Sequence, residues 1–174
     1  PMLTRAELLG QIMRNYDTPV AISGTHGKTT TTSMVSHILL AGDCDPTISV
    51  GGILPAIGGN IRVGNSETFV TEACEYTNSF LSFFPKISII LNMDADHLDF
   101  FKDIDDIRHS FRRFAELLPA DGTLIINADT PKYEDIIRDL PCNVITYGLE
   151  HDADYQAADI TYDKYGHASF SVLR

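Results

Sequence analysis

Between the apolar run Pro19-Val20-Ala21-Ile22-Ser23 and a helical pattern beginning at Thr29 stands Gly24-Thr25-His26-Gly27-Lys28-Thr29-Thr30. Glycines at this spacing let the backbone approach an anion closely, so that successive N–H groups surround phosphate oxygens. The helix that follows turns the positive end of its dipole toward the same point. Lys28 is placed to neutralise the outer phosphates of a nucleoside triphosphate and the Thr29 hydroxyl to ligate Mg²⁺. The strict phosphate-loop pattern has a glycine five residues before Gly27, and Ile22 occupies that position. The loop is therefore read as a shorter variant that starts at Gly24. Its alternative is an ordinary glycine-rich turn carrying a solvated lysine.

Further groups follow other strand-like runs. Thr71-Glu72-Ala73-Cys74-Glu75-Tyr76 comes after the β-like Thr68–Thr71. A carboxylate at a strand's C-terminal end lies on the edge where open α/β sheets bind ligands. Glu72 could hold Mg²⁺ directly or through water, or could be a solvated loop residue. Asn92-Met93-Asp94-Ala95-Asp96-His97-Leu98-Asp99 follows the apolar run Ile87–Leu91 and has the composition of a metal shell. Histidine is an uncommon partner for a hard, oxygen-preferring cation, so His97 could instead orient a carboxylate. Asn127-Ala128-Asp129 follows Thr123–Asn127; an amide there could pair with an adenine edge and an acid could accept from ribose hydroxyls. Both residue types are also common turn formers. His37, His109, His151 and His167 have no comparable setting, and Cys74 lacks an obvious base.

These groups need a scaffold. Thr4-x-x-Glu7 is a capping-box pattern ahead of Leu8, Leu9, Ile12 and Met13, predicting a short first helix. Met34, Val35, Ile38 and Leu39 recur at helical spacing up to a stop at Gly42. A β-like run at Thr47–Val50 precedes a glycine-rich stretch from Gly51 to Gly64. Ile87–Leu91, continuous and β-branched, predicts a strand buried on both faces. Asp103–Leu118 predicts a long amphipathic helix and Tyr133–Leu140 another, each followed by a strand, Thr123–Asn127 and Asn143–Tyr147. The alternation in Ala168–Val172 predicts antiparallel hairpin structure. Alternating strands and helices make the expected fold α/β: a mostly parallel sheet flanked by helices, with a small antiparallel β segment at the C-terminal end.

The 174 residues are one domain's length, and 44% hydrophobic residues supply a core. A net charge of −11 opposes nucleic-acid binding, which rests on counterion release at Lys and Arg. Ile87–Met93, the longest apolar stretch, is interrupted by Ser88 and Asn92 and is too short to span a bilayer, so no membrane partner is expected. Cys44, Cys74 and Cys142 are scattered and odd in number, which fits a reducing cytoplasm better than a disulfide framework. A start at Pro1-Met2 and a stop within strand-like sequence at Arg174 suggest an excerpt from a longer chain.

Together the loop Gly24–Thr30, Glu72-Ala73-Cys74-Glu75-Tyr76 and Asp96-His97-Leu98-Asp99 resemble the motifs of the Mur ligases, ATP-dependent amide-forming enzymes of peptidoglycan precursor synthesis. The resemblance runs over nearly the whole chain and is nearest to the alanine-adding branch. It implies residues 1–174 as the central ATP-binding domain, with 1–18 a leading helix or linker and its last segment missing. The UDP-binding N-terminal domain and the C-terminal domain would lie outside this chain, as partners. The implied substrates are UDP-N-acetylmuramate and L-alanine, and the implied cofactors are ATP and Mg²⁺. Lys28, Glu72 and His97 take catalytic roles on this resemblance; Thr29, Glu72 and His97 hold metal or place the substrate carboxylate. Gly24, Thr25, His26, Gly27, Lys28, Thr29, Thr30, Asn127 and Asp129 contact the nucleotide, and Glu75 and Tyr76 face the substrate.

Later Mur ligases carry a carbamoylated lysine beyond the motif histidine, whereas no lysine occurs here between Lys102 and Lys132. That absence agrees with the alanine-adding branch and equally with a recycling ligase that joins a tripeptide to UDP-N-acetylmuramate. A nucleotide-driven switch or motor without ligase chemistry is the alternative from another class. It would need a Walker-B-like aspartate, and none is evident.

Overall fold

The computed structural model describes residues 2–174. Among them, nine strands form one sheet in the order β3-β2-β4-β1-β5-β6-β7-β8-β9. The strands are β1 (Thr18–Ser23), β2 (Thr47–Leu54), β3 (Gly59–Arg62), β4 (Thr68–Glu72), β5 (Ile87–Ile90), β6 (Thr123–Asn127), β7 (Asn143–Gly148), β8 (Tyr155–Tyr162) and β9 (Ala168–Leu173). The helices are α1 (Arg5–Met13), α2 (Lys28–Ala41), α3 (Ile104–Ala115) and the single turn α4 (Glu134–Ile137). From β2 to β8 every neighbouring pair is parallel, while β3 and β9 close the two edges antiparallel. The expected α/β architecture is present, with its antiparallel segment at the C-terminal end formed by β8 and β9.

Each face of the central strands is covered. On one side Met13, Phe69, Phe80, Phe111, Phe114, Ile126 and Ile136 form the main core. Phe80 stacks on Phe114 at 4.6 Å and meets Phe111 edge-on at 5.5 Å, fixing α3 against the 3₁₀ segment Tyr76–Ser82. On the other side Val20, Ile22 and Val70 pack against Val35 and Leu39 of α2. The capping box forms as read: Thr4 Oγ1 accepts from the Glu7 N–H, and the Thr4 N–H donates to the Glu7 carboxylate at 2.7 Å.

The helix expected from Met34, Val35, Ile38 and Leu39 is α2, in which Val35 and Leu39 turn inward with buried Thr32 and Ser36 while Met34 and Ile38 are exposed. Three expectations are corrected. The stretch from Gly51 to Gly64 is not merely a separator, because β2 continues to Leu54 and returns as β3 through a turn that places Gly58 at φ 66°. The helix expected over Tyr133–Leu140 ends at Ile137. Arg138 turns extended and Asp139 is left-handed (φ 55°), while the Arg112 guanidinium takes the Ile136 carbonyl at 2.9 Å. The helix expected to run to Leu118 stops at Ala115, and Asp103 caps its start by accepting from the Asp106 N–H. None of the described helices is long and apolar enough to cross a membrane.

Candidate functional site

Register aligns the ends of the central strands. Ile22 lies opposite Glu72, Ser23 opposite Ile90, and Ile90 opposite Ile126. The four segments singled out from sequence therefore leave the sheet along one edge, where parallel α/β sheets present their crevice. The loop after β1 is tied to the exit of β5. The Thr25 N–H donates to the Asn92 carbonyl, the His26 N–H to Asn92 Oδ1 at 2.8 Å, and Asn92 Nδ2 returns a bond to the His26 carbonyl. Thr25 Oγ1 accepts from the Asp94 N–H at 2.9 Å. At Gly24 φ is +142°, and a Cβ there would stand 2.9 Å from Leu91 Cβ. Only glycine fits that backbone and that approach.

Lys28 opens α2, after Gly27 in the left-handed region (φ 84°). Its ammonium donates to the carbonyls of Gly24 at 2.6 Å and Thr25 at 3.2 Å, and to both Glu75 oxygens at 2.9 and 3.3 Å. Glu75 is almost wholly buried, at 2% exposure. Thr29 and Thr30 are exposed on the first turn of α2. Glu72, at the end of β4, accepts the Gly51 N–H at 2.5 Å. A Cβ on Gly51 would stand 2.8 Å from the Glu72 carboxylate, and one on Gly52 would be 3.4 Å from Thr29 Cγ2. Gly51 thus lets β2 lie against the Glu72 carboxylate, while Gly52 sits at ordinary contact distance from Thr29. The sequence signal for this approach is the glycine pair directly after Thr47–Val50.

The acidic loop does not gather as a shell. Asp94 lies 3.6 Å from the His26 ring, Asp96 takes the His97 N–H at 2.7 Å, and Asp99 accepts from the Tyr76 hydroxyl at 2.7 Å. That last bond holds the phenol proton and raises the Tyr76 pKa. His97 is left-handed (φ 51°), its ring rests on Tyr76 at 4.6 Å, and its Nε2 is 3.8 Å from Glu75. Among the described residues no three His, Cys, Asp or Glu side chains converge as a metal-binding group. Thr29, exposed at the start of α2, and Glu72, at the end of β4, carry hard oxygen donors of the kind Mg²⁺ takes. This ion keeps several waters and is commonly shared with phosphate oxygens rather than caged by protein. Beside Glu72 opens a cavity of about 290 Å³, to which α1 contributes Arg5 and Leu9 and the segment after β4 contributes Cys74 and Ser79.

Asn127 and Asp129 are engaged internally. Asn127 Nδ2 donates to the Leu91 carbonyl, and its Oδ1 accepts from the Asp129 N–H. Asp129 accepts the N–H groups of Leu149, Glu150 and His151 and meets the His151 ring at 3.0 Å. Asn127 Nδ2 keeps a second hydrogen and Asp129 Oδ2 a further lone pair beyond these bonds. Burial pushes the Asp129 carboxyl up, but its four donors outweigh that and bring it down to about 2. A depressed carboxyl contributes stability above its unfolded pKa of about 4, which is lost as pH falls toward 2. Asp129→Asn is expected to lower stability by about 2 kcal/mol at pH 7. In thermal unfolding the gap from the parent should narrow between pH 4 and pH 2; a gap independent of pH would contradict this assignment.

Residues 22–173 match the family described as Mur ligase middle domain. A protein named UDP-N-acetylmuramate--L-alanine ligase from Agathobacter rectalis is 63% identical over 174 residues, covering 100% of this chain and 38% of that protein. One of the same name from Lachnospira eligens is 65% identical, covering 99% and 38%. The crystal structure of UDP-N-acetylmuramate:L-alanyl-gamma-D-glutamyl-meso-diaminopimelate ligase from Neisseria meningitides superposes with a TM-score of 0.86 at 26% identity, over 99% of this chain and 57% of that one. The chain spans under two-fifths of the length of these two curated relatives.

Proposed function

The chain belongs to the Mur ligase family, as a middle domain, and from that premise we propose that it is the ATP- and Mg²⁺-binding domain of an enzyme joining L-alanine to UDP-N-acetylmuramate. What carries this reading is the placing of Lys28, Glu72 and His97 along one sheet edge, in a chain 63% identical over its whole length to a protein named for that reaction.

The chemistry sets the demands. A substrate carboxylate oxygen attacks the terminal phosphorus of ATP, ADP leaves, and the acyl phosphate so formed is attacked by the amine of alanine. The amide bond forms as the bond to phosphate breaks and the amine gives up a proton. The first step brings anion to anion, so positive charge and oriented N–H groups must offset the repulsion. With the Thr25 and His26 N–H groups held by Asn92, the N–H groups that open α2 and the Lys28 ammonium would do this for the phosphates. Thr29 and Glu72 would hold Mg²⁺, which supplies further charge neutralisation at the phosphate oxygens. His97, stacked on Tyr76 in the segment after β5, would place the substrate carboxylate. The acceptor and the UDP moiety are bound by domains outside this chain, so residues 1–174 alone form no amide. ATP and a nucleotide-linked sugar as substrates put the enzyme in the cytoplasm.

A second reading, tripeptide in place of alanine, is favoured by the fold likeness to the Neisseria enzyme. Phosphate release by the full-length protein, measured with UDP-N-acetylmuramate and either L-alanine or the tripeptide, separates the two. Release that needs both UDP-N-acetylmuramate and L-alanine is expected. Release with the tripeptide only selects the second reading, and release without UDP-N-acetylmuramate removes ligase chemistry altogether.

A further inference from the structure

We propose that Glu75 is a positioning residue shared by Lys28 and His97, exchanging the first for the second when the phosphate loop fills. The inference rests on the nucleotide-binding reading above. An ammonium carries three hydrogens, and those of Lys28 have the Gly24 carbonyl, the Thr25 carbonyl and the Glu75 carboxylate as acceptors. A phosphate oxygen obtains a hydrogen from Lys28 only when one of these lets go. The two carbonyls belong to the loop that surrounds the phosphate and travel with the lysine. Glu75 belongs to a different strand's exit and is the partner that must be released.

Glu75 cannot follow the lysine. It enters a 3₁₀ segment whose Thr77 and Asn78 are left-handed, at φ 52° and 57°. The Asn78 N–H returns to the Glu75 carbonyl at 2.9 Å, the Asn78 side chain is bonded to Ser110 of α3, and Phe80 is fully buried. Left behind, the carboxylate would be a buried anion without a counter-charge, which is strongly unfavourable. The hydrogen-bonding group within reach is the His97 ring, with Nε2 at 3.8 Å from Glu75 Oε1. Its ring is clamped beside Glu75 by Tyr76, itself anchored to Asp99. Closing that last gap orients the imidazole from behind, so filling of the loop and placement of His97 become one event. The expectation that Glu75 faces the substrate gives way, in this proposal, to a carboxylate that is 2% exposed and acts through Lys28 and His97.

Glu75→Gln keeps the shape and removes the charge. In the full-length protein, calorimetry with a non-hydrolysable ATP analogue and Mg²⁺ should show the variant binding roughly fivefold tighter, because Lys28 leaves a weaker acceptor. Turnover should fall by roughly tenfold or more, because His97 loses its anionic partner. A role in packing alone would weaken binding and turnover together; weaker analogue binding, or unchanged turnover, overturns the proposal. Should Glu75→Gln fail to fold, Glu75→Asp tests the same point. Its shorter carboxylate reaches Lys28 or His97 but not both, so analogue affinity should stay within about twofold while turnover drops; equal turnover overturns the proposal. Absence of analogue binding by the parent protein would instead sink the nucleotide-binding reading on which this rests.

Discussion

Replacing Lys28 with alanine is expected to weaken binding of an ATP analogue by roughly 100-fold or more and to lower turnover of the full-length protein by roughly 1,000-fold. The lysine is the cation built into the loop, 16% exposed and already partly desolvated, so its attraction for phosphate is little screened by water. The neighbouring loop N–H groups orient phosphate but carry only partial charge. The substitution has a second effect that must be separated from the first. It takes the ammonium from buried Glu75; breaking such a pair from one side costs about 3 kcal/mol or more, less what the His97 ring restores by closing on the carboxylate. The double variant Lys28→Ala with Glu75→Gln removes both charges and should recover most of the lost thermal stability while remaining unable to bind the analogue. Calorimetry on the two variants checks this. Analogue affinity within tenfold of the parent in Lys28→Ala would mean that the loop does not use this lysine for phosphate.

Gly10→Ala should destabilise the fold by about 3 kcal/mol, although alanine is ordinarily the better helix residue by about 1 kcal/mol. Gly10 lies on the buried face of α1, where a Cβ would stand 2.0 Å from the Ser82 carbonyl oxygen and 3.0 Å from its carbon. Both are backbone atoms, so no rotamer change relieves the clash; α1 must lift from the segment Tyr76–Ser82. That segment begins directly after Glu75, so the displacement reaches the site. A fall in Tm of about 6–12 °C is expected for a chain of this size. Gln11→Ala, one residue on and exposed, should change stability by less than about 0.5 kcal/mol. Equal Tm values for the two variants would show that the helix adapts without moving.

The features read correctly from sequence share a physical basis. The Thr4–Glu7 capping box, the glycine loop ahead of α2, the strand β5 (its Ser88 and Ile90 buried, Ile87 and Ile89 only partly so) and the alternating β9 all depend on residues a few positions apart. Their backbone preferences and hydrophobic periods act locally, so spacing alone carries them. Because each candidate segment follows a parallel strand, their shared sheet edge was also legible. The β2–β3 hairpin was not, because glycines weaken a strand's intrinsic preference, and Gly51 is the one that lies closest to the Glu72 carboxylate. Nor was the early end of α4, set by a guanidinium from α3 on the Ile136 carbonyl. Asn127 and Asp129 carried chemistry that suits a nucleotide, yet the turn at Leu149–His151 draws on the same acceptor atoms.

Sequence by itself determined that a glycine loop with a lysine joins β1 to α2 and which strands deliver carboxylates to its edge. Tertiary structure decided which carboxylate meets that lysine. Glu72 and Glu75 are alike in type and three residues apart, and either could have been its partner. Because β4 lies beside β1 with Ile22 opposite Glu72, the chain beyond Glu72 folds back beneath the loop. Glu75 is thereby buried against Lys28, 47 positions away, while Glu72 is left to Gly51 and the cavity. Such a pairing depends on strand order and register, which no local preference encodes.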